Sequence, residues 1–354
     1  MALAFRVDGR SVEVADDNAS LLEVLRDRLG CRSPKDGCSP QGQCGCCTVL
    51  VDGEPRVSCV TPARRVAGRA VTTLEGLDPS ERAAWAEAFF ARGASQCGFC
   101  TPGIILRLSA LLAAGKKEEK EVDTALLAHL CRCTGWLSVK EAFAQVAAPV
   151  VPPTAAFRDT AAAALRATLE GGASQQVGAH VALGAAGFAD DTAPLGALTA
   201  VPDGDGGWAV AETLTQARVL AGKTQGRRST IGLRHPLVMP PGPWDAALRT
   251  TWVEPAYLEP DASWCEPGGE PASPLANGGA FGGKSTSVVA AAARRLADEH
   301  GRAVRVLLSR EDAVRLGPKR PPVAGGMRHD GTGVLRVVRT PGVPEAIAAV
   351  APGL

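Results

Sequence analysis

Ten of the eleven cysteines in this 354-residue chain lie before residue 134, and Cys265 stands apart. No other feature constrains the fold as much, because thiols this concentrated must end up paired, metal-bound or buried. Compartment decides among these. Residues 1–20 lack a basic start followed by an apolar stretch, and no apolar run reaches the ~18 residues that a membrane span needs. The chain is therefore expected in the cytoplasm and off the membrane. Reducing conditions there argue against disulfides and point to metal or cluster ligation. With 38 Lys and Arg against 37 Asp and Glu, the chain lacks the basic bias that a nucleic-acid or membrane-surface partner demands.

The residues around the cysteines predict two small domains. Phe5 and Val7 alternate with polar positions, Asp8-Gly9 supplies a turn, and Val12 and Val14 resume the alternation, giving a β-hairpin over 2–15. Leu21, Leu22, Leu25 and Leu29 form one stripe of a helix over 19–29, which Asn18 or Ser20 can cap. A Gly- and Cys-rich loop at 37–47 leads to strands at 48–51 and 56–61 about an Asp52-Gly53 turn. Such a set suits a β-grasp domain over 1–78. Pro79 opens a helical domain over 79–150. Its helices are expected at 80–91, from Pro102 through Ile104, Ile105, Leu108, Leu111 and Leu112, around Leu126, Leu127 and Leu130, and at 138–147, with 116–121 an exposed charged connection. Residues 151–176 read as a Pro- and Ala-rich linker with one helix at 157–170. Residues 177–354 read as mixed α/β, with a helix at 287–298. The fold class expected for the whole is α+β.

The cysteines fall into two groups of four. Cys38, Cys44, Cys47 and Cys59 are spaced C-x5-C-x2-C-x11-C, one residue longer in the first gap than the C-x4-C-x2-C of plant-type [2Fe–2S] ferredoxins. A loop that wraps a cluster needs unusual backbone angles, which Gly37, Gly42 and Gly45 permit. Cys46 lies beside Cys47, so the ligand is open between them; Cys47 is preferred because it keeps the two-residue gap from Cys44. Cys97, Cys100, Cys131 and Cys133 are spaced C-x2-C-x30-C-x-C, each pair at the end of an expected helix. Tetrahedral zinc also accepts four cysteines, so a zinc-stabilised, non-catalytic scaffold is an alternative. Cys31, Cys46 and Cys265 otherwise read as small buried hydrophobes. His129, His180, His235, His300 and His329 show no triad spacing and read as surface or helix-end residues. Asp190-Asp191 reads as a turn or cap.

Three motifs occur in order: Gly37-Cys38 with Cys44-Gly45-Cys46-Cys47-Thr48-Val49-Leu50-Val51-Asp52-Gly53, Gln96-Cys97-Gly98-Phe99-Cys100-Thr101-Pro102-Gly103, and Leu130-Cys131-Arg132-Cys133-Thr134-Gly135. Together they resemble the iron–sulfur portion of the molybdenum hydroxylases, the family of xanthine dehydrogenase, aldehyde oxidoreductase and carbon monoxide dehydrogenase. The resemblance covers residues 1–150. It implies a ferredoxin-like β-grasp domain followed by a four-helix domain, with a [2Fe–2S] cluster in each. It also implies electrons leaving a molybdenum–pterin centre, crossing the helical-domain cluster and then the ferredoxin-like one, and reaching flavin or another acceptor. Gln96 would lie against the pterin; capping of the cysteine turn is an equal reading.

The second half resembles the family's molybdopterin-binding subunit in pieces. These are Gly187-Phe188-Ala189-Asp190-Asp191, Trp208-Ala209-Val210-Ala211-Glu212-Thr213 as a strand and helix start, Tyr257-Leu258-Glu259-Pro260, and a glycine loop Gly278-Gly279-Ala280-Phe281-Gly282-Gly283-Lys284. In that likeness Gly278, Gly279, Phe281, Gly282 and Gly283 contact the cofactor, since glycine lets backbone N–H groups approach it closely. Three departures qualify the match. Only 17 residues separate Pro260 from Gly278, Ser285 stands where purine-oxidising members carry a glutamate, and no candidate is found for the family's catalytic glutamate. No catalytic residue is therefore assigned.

The expected function is that of an iron–sulfur electron-transfer subunit fused to a partial molybdopterin-binding region over 177–354. Such an oxidoreductase component is incomplete as a single chain. It would need a molybdopterin-binding subunit to hold or share the molybdenum cofactor, an FAD-binding subunit, and the complex's small-molecule substrate. The other enzymatic reading is a self-contained, compressed hydroxylase that recruits its base from Glu254, Glu259 or Asp261.

Overall fold

The computed structural model describes residues 2–148, 159–169, 176–222, 237–251, 257–274, 286–317, 321–339 and 343–350. They divide into two compact units, Met1–Gly226 with Ala256–Ala313, and Arg227–Pro255 with Val314–Leu354.

The larger unit begins with the expected hairpin. Strands β1 (Ala2–Val7) and β2 (Arg10–Ala15) pair antiparallel with Phe5 opposite Val12 and Leu3 opposite Val14. Asp8 and Gly9 turn between them at positive φ. Ser20, not Asn18, caps the next helix: its Oγ accepts the Glu23 N–H at 3.2 Å. The helix is α over Leu21–Glu23 (α1) and continues as a π-helical segment, Val24–Arg28. Leu21, Leu22, Val24 and Leu25 are buried beneath the sheet formed with β3 (Thr48–Val51), β4 (Glu54–Val57) and β5 (Ala70–Thr72). The strand order is β2-β1-β5-β3-β4, with β1 and β5 parallel and the other pairs antiparallel.

The strand expected over 56–61 ends instead at Val57. Both the N–H and the hydroxyl of Ser58 donate to the Cys47 carbonyl, at 3.2 and 2.7 Å. That folds Ser58–Val60 into a 3-10 turn and brings Cys59 into the buried core.

Four helices follow: α2 (Pro79–Ala91), α3 (Thr101–Ala113), α4 (Glu119–Leu126) and α5 (Leu137–Ala147). Asp78 caps α2 with its carboxylate, and Pro102 occupies the first turn of α3, where a missing N–H costs nothing. Trp85, Phe89 and Phe143 form the aromatic centre. Helix α4 departs from expectation. It starts inside the charged run, where Glu118 and Glu121 form a reciprocal capping box. It stops at Leu126, which leaves Leu127 81% and Leu130 47% exposed on the loop that carries the second cysteine pair.

Beyond residue 150 the chain adds α6 (Thr160–Leu169), α7 (Ala179–Ala182), α8 (Ala189–Thr192), β6 (Leu198–Pro202), β7 (Trp208–Ala211), α9 (Leu214–Ala221), β8 (Ala246–Arg249), β9 (Ala262–Cys265), α10 (Val289–His300), β10 (Val304–Leu307), α11 (Arg310–Leu316), β11 (Val323–Met327), β12 (Gly333–Val337) and α12 (Val343–Val350). A four-stranded sheet, β7-β6-β10-β9, packs Leu198, Val304 and Val306 against Ala293 and Leu296 of α10. Thr213 caps α9 after β7, so the strand and helix start read in the sequence are both present. The smaller unit holds a three-stranded sheet, β12-β11-β8, with Trp244 against Gly326. Among the described residues no helix is long and apolar enough to cross a membrane.

Candidate metal centres

The first cysteine group is built by the loop between the π-helical segment and β3, with Cys59 added from the 3-10 turn after β4. Backbone bonds fix its base: Lys35 N–H to the Cys46 carbonyl at 3.0 Å and Thr48 N–H to Gly45 at 3.1 Å. Gly45 turns at φ 71°, which only glycine adopts without strain. Gly37 serves differently. Its φ is not positive, but a Cβ there would lie 3.0 Å from Cys44 Sγ and 3.3 Å from Cys46 Sγ, so its bareness makes room for sulfur.

Cys38, Cys44, Cys46, Cys47 and Cys59 are all buried, and none is in a disulfide. Their thiols form a row of contacts. Cys38 accepts from Cys44 and Cys59, which holds it far below the usual thiol range and pushes both donors up. Cys46 continues the row from Cys44, and Cys47 continues it from Cys59. The Gln41 N–H also points at Cys38 Sγ, 3.3 Å away.

The second group spans three elements. Cys100 stands at the cap position of α3, Cys97 lies in the preceding turn, and Cys131 and Cys133 lie in the loop between α4 and α5. Cys97 contacts Cys133 and Cys100 contacts Cys131, raising Cys97 and Cys100 and lowering their partners. Cys131 is brought down to about 5 by Cys100 first and, against the effect of burial, by Thr134. The Thr134 N–H and hydroxyl lie 3.4 and 3.2 Å from its sulfur.

Buried thiols packed against one another can all ionise only beside a cation, so the donor set fits a metal. Among the described residues no three His, Cys, Asp or Glu side chains close on a point that would hold one ion. A two-iron cluster asks for something else: two thiolates for each iron. The first group offers a row of contacting thiols and the second two contacting pairs, and on that ground both fit a [2Fe–2S] cluster.

The groups adjoin through backbone. Leu130 N–H donates to the Cys44 carbonyl at 2.9 Å. A Cβ on Gly103 would lie 2.2 Å from the Gly45 carbonyl, and one on Gly45 would lie 2.5 Å from the His129 ring. His129 is thus no surface residue, being 4% exposed. Its Nε2 lies 3.2 Å from the Thr48 hydroxyl, which donates to Gly45. Burial, then Arg107, lowers it to about 4 and keeps it uncharged. Cys31 is also neutral, pushed up to about 12 by burial.

Two of the motifs read beyond residue 176 surround this region. Gly98 lies against Val181 of α7, whose carbonyl would be 2.1 Å from an added Cβ. Phe188 packs edge-on against Phe99, between Cys97 and Cys100, with ring centroids 5.2 Å apart. Asp190 and Asp191, expected as a turn or cap, open the short α8 and enter a buried ion cluster instead. Arg26 Nη2 reaches Asp190 at 2.6 Å and Asp191 at 3.0 Å, and Lys35 pairs with Asp191. Arg305 grips Asp27 at 2.6 and 2.7 Å and Asp190 at 3.3 Å. Tyr257 and Glu259 are buried, and Asp261, also buried, receives the Ser287 hydroxyl. Gln96 is exposed, one residue before Cys97. Gly278, Gly279, Phe281, Gly282, Gly283, Ser285 and Glu254 lie outside the described residues.

A family model described as a [2Fe-2S] binding domain matches residues 73–144. The nicotinate dehydrogenase small FeS subunit of Eubacterium barkeri is 38% identical over 137 residues, which are 38% of this chain and 86% of that subunit. The isoquinoline 1-oxidoreductase subunit alpha of Brevundimonas diminuta is 37% identical over 148 residues, covering 41% of this chain and 97% of the relative. Among solved structures, the aldehyde oxidoreductase from Desulfovibrio gigas overlays 93% of this chain with a TM-score of 0.64 at 19% identity, a likeness of fold. The chain spans about half of that enzyme's length, 52%. It belongs to the molybdenum hydroxylase family, as an iron–sulfur, electron-transferring oxidoreductase component.

Proposed function

We propose that this chain carries electrons through two [2Fe–2S] clusters, one held by Cys38, Cys44, Cys47 and Cys59 and the other by Cys97, Cys100, Cys131 and Cys133. The observation that carries the reading is the pair of four-thiol groups joined by the Cys44–Leu130 backbone bond. A bound [2Fe–2S] cluster stores a single electron. The protein supplies buried surroundings, N–H donors at Gln41 and Thr134 that favour negative sulfur, and a covalent and hydrogen-bonded bridge between the two sites. Cys47 fits the first set better than Cys46, because Cys47 adjoins Cys59 while the Cys46 thiol is directed at the Cys44 carbonyl.

The molybdenum cofactor is held by, or shared with, a molybdopterin-binding partner, and a flavoprotein takes the electrons onward. The family resemblance assigns Gln96 and the glycines of the 278–283 motif to that cofactor's contacts. Of the acids considered for a self-contained enzyme, Asp261 receives the Ser287 hydroxyl, and both Asp261 and Glu259 are buried.

Protein made with ample iron and sulfide should be brown and give two rhombic electron paramagnetic resonance signals after dithionite. Cys100→Ser or Cys133→Ser should remove one signal and spare the other. Loss of both signals in a folded variant would refute the division into two clusters, and a colourless protein with stoichiometric zinc would favour a scaffold.

A further inference from the structure

Arg310 belongs to the second half of the chain, yet its guanidinium lies on the first cysteine loop. Nη2 donates to the carbonyl of Gly37 at 2.8 Å and to that of Leu258, and Nη1 donates to the carbonyl of Tyr257 at 2.8 Å. These partners are all backbone carbonyls, and among the described residues no carboxylate pairs with it. The neighbouring acids turn elsewhere: Glu311 binds Gln41, and Asp312 holds the Ser309 hydroxyl at 2.6 Å. Arg26 and Arg305, by contrast, are matched by Asp27, Asp190 and Asp191.

The cation's position matters because Gly37 precedes Cys38 and lies against the Cys44 and Cys46 sulfurs, as its missing Cβ shows. A guanidinium stays charged at any working pH. Carbonyl oxygens solvate that charge without neutralising it, and half-burial weakens the screening that water would give.

We propose that Arg310 tunes the reduction potential of the cluster at Cys38, Cys44, Cys47 and Cys59, holding it above the value the cysteine loop alone would give. This rests on the two-cluster reading. The reaction concerned is the uptake of one electron, which adds one negative charge and makes or breaks no bond in the protein. A nearby fixed positive charge favours the reduced form, since cluster potentials follow local charge and hydrogen bonding. The electron is thereby drawn toward the ferredoxin-like site. Arg310 acts as a positioning cation and not as a catalytic residue.

The test is a dithionite titration of the intact chain with both clusters loaded, followed by the two resonance signals. Cys59→Ser identifies the first-group signal by its loss. Arg310→Gln removes the charge but keeps a donor for the Gly37 carbonyl, while Arg310→Lys keeps the charge. At the wild-type midpoint of the first-group signal, the reduced-to-oxidised ratio in Arg310→Gln should fall tenfold or more, about 59 mV for one electron. The other signal should keep its midpoint, and Arg310→Lys should stay within threefold of wild type. Should the Gln variant lose its cluster, Arg310→Met is read against the same thresholds.

A charge-removing variant with less than a tenfold change would overturn the proposal. A Lys variant that falls as far as Gln would also overturn it, making hydrogen-bond geometry the cause. A wild-type chain lacking either signal would instead defeat the two-cluster reading and take this proposal with it.

Discussion

At Gly103 the side chain is a hydrogen because the Gly45 carbonyl occupies the space where a methyl would go. An added Cβ would sit 2.2 Å from that oxygen and 3.1 Å from the Cys46 backbone. Helix propensity pulls the other way, since Ala is favoured over Gly by about 1 kcal/mol in a helix interior. The overlap should win, because the obstacle is backbone held by its own turn, and overpacking of this kind costs about 1–3 kcal/mol. Gly103→Ala should therefore lower the melting temperature of the cluster-loaded chain by a few degrees, measured by calorimetry. An unchanged or raised melting temperature would mean that the two cysteine loops do not press together here. His129 belongs to the same seam, and its place there was not legible: one histidine without a spaced partner looks the same in sequence whether it coats the surface or fills a gap beside Gly45.

Elements whose residues answer to near neighbours could be read directly. The β1–β2 hairpin follows from alternation and an Asp-Gly turn, and α3 follows from Pro102 and a periodic apolar face. The close cysteine pairs could be grouped by their spacing, and the structure brings Cys38 to Cys44 and Cys59, and Cys100 to Cys131. Helix α4 was misplaced because Leu127 and Leu130 look like core residues but are exposed, whereas the charged residues before them build its cap. Strand β4 ends early because Ser58 bonds Cys47, a partner eleven positions away that no periodicity reveals. Within the helical domain the packing makes a sharp claim. Phe143 of α5 is buried against Trp85 of α2, with ring centroids 6.2 Å apart. Truncating such a ring typically costs about 3–5 kcal/mol. Phe143→Ala should shift the urea midpoint down accordingly, and the resonance signal of the Cys97–Cys133 group should disappear at lower urea than its partner. Simultaneous loss of both signals would show that the two cysteine domains unfold as one.

Across the larger unit, the ion cluster of Arg26, Asp27, Lys35, Asp190, Asp191 and Arg305 ties the ferredoxin-like part to residues beyond 176. Arg26 and Asp190 are 164 positions apart, which is why the sequence showed only a capping pair at 190–191. Burial alone would raise Asp190, but Arg26, Arg305 and Arg32 outweigh it and hold the carboxyl at about 2 against an ordinary 3.8. The sign follows. A carboxyl with a depressed folded value stabilises the fold above about pH 4, and that contribution fades as pH falls toward 2. At 1.36 kcal/mol per unit, the difference between 3.8 and about 2 amounts to about 2 kcal/mol. Asp190→Asn should cost more than this at neutral pH, about 3–5 kcal/mol, because it leaves two buried guanidinium groups short of a partner. Chemical denaturation of the wild type and Asp190→Asn between pH 7 and pH 2 separates the effects. The gap between the two should be constant down to about pH 4 and narrow below it as the wild-type carboxyl takes up its proton. Curves that stay parallel through the acid limb would mean that Asp190 carries no charge in the folded protein. The join between the two parts of this unit would then rest on packing, with Phe188 against Phe99 as its centre.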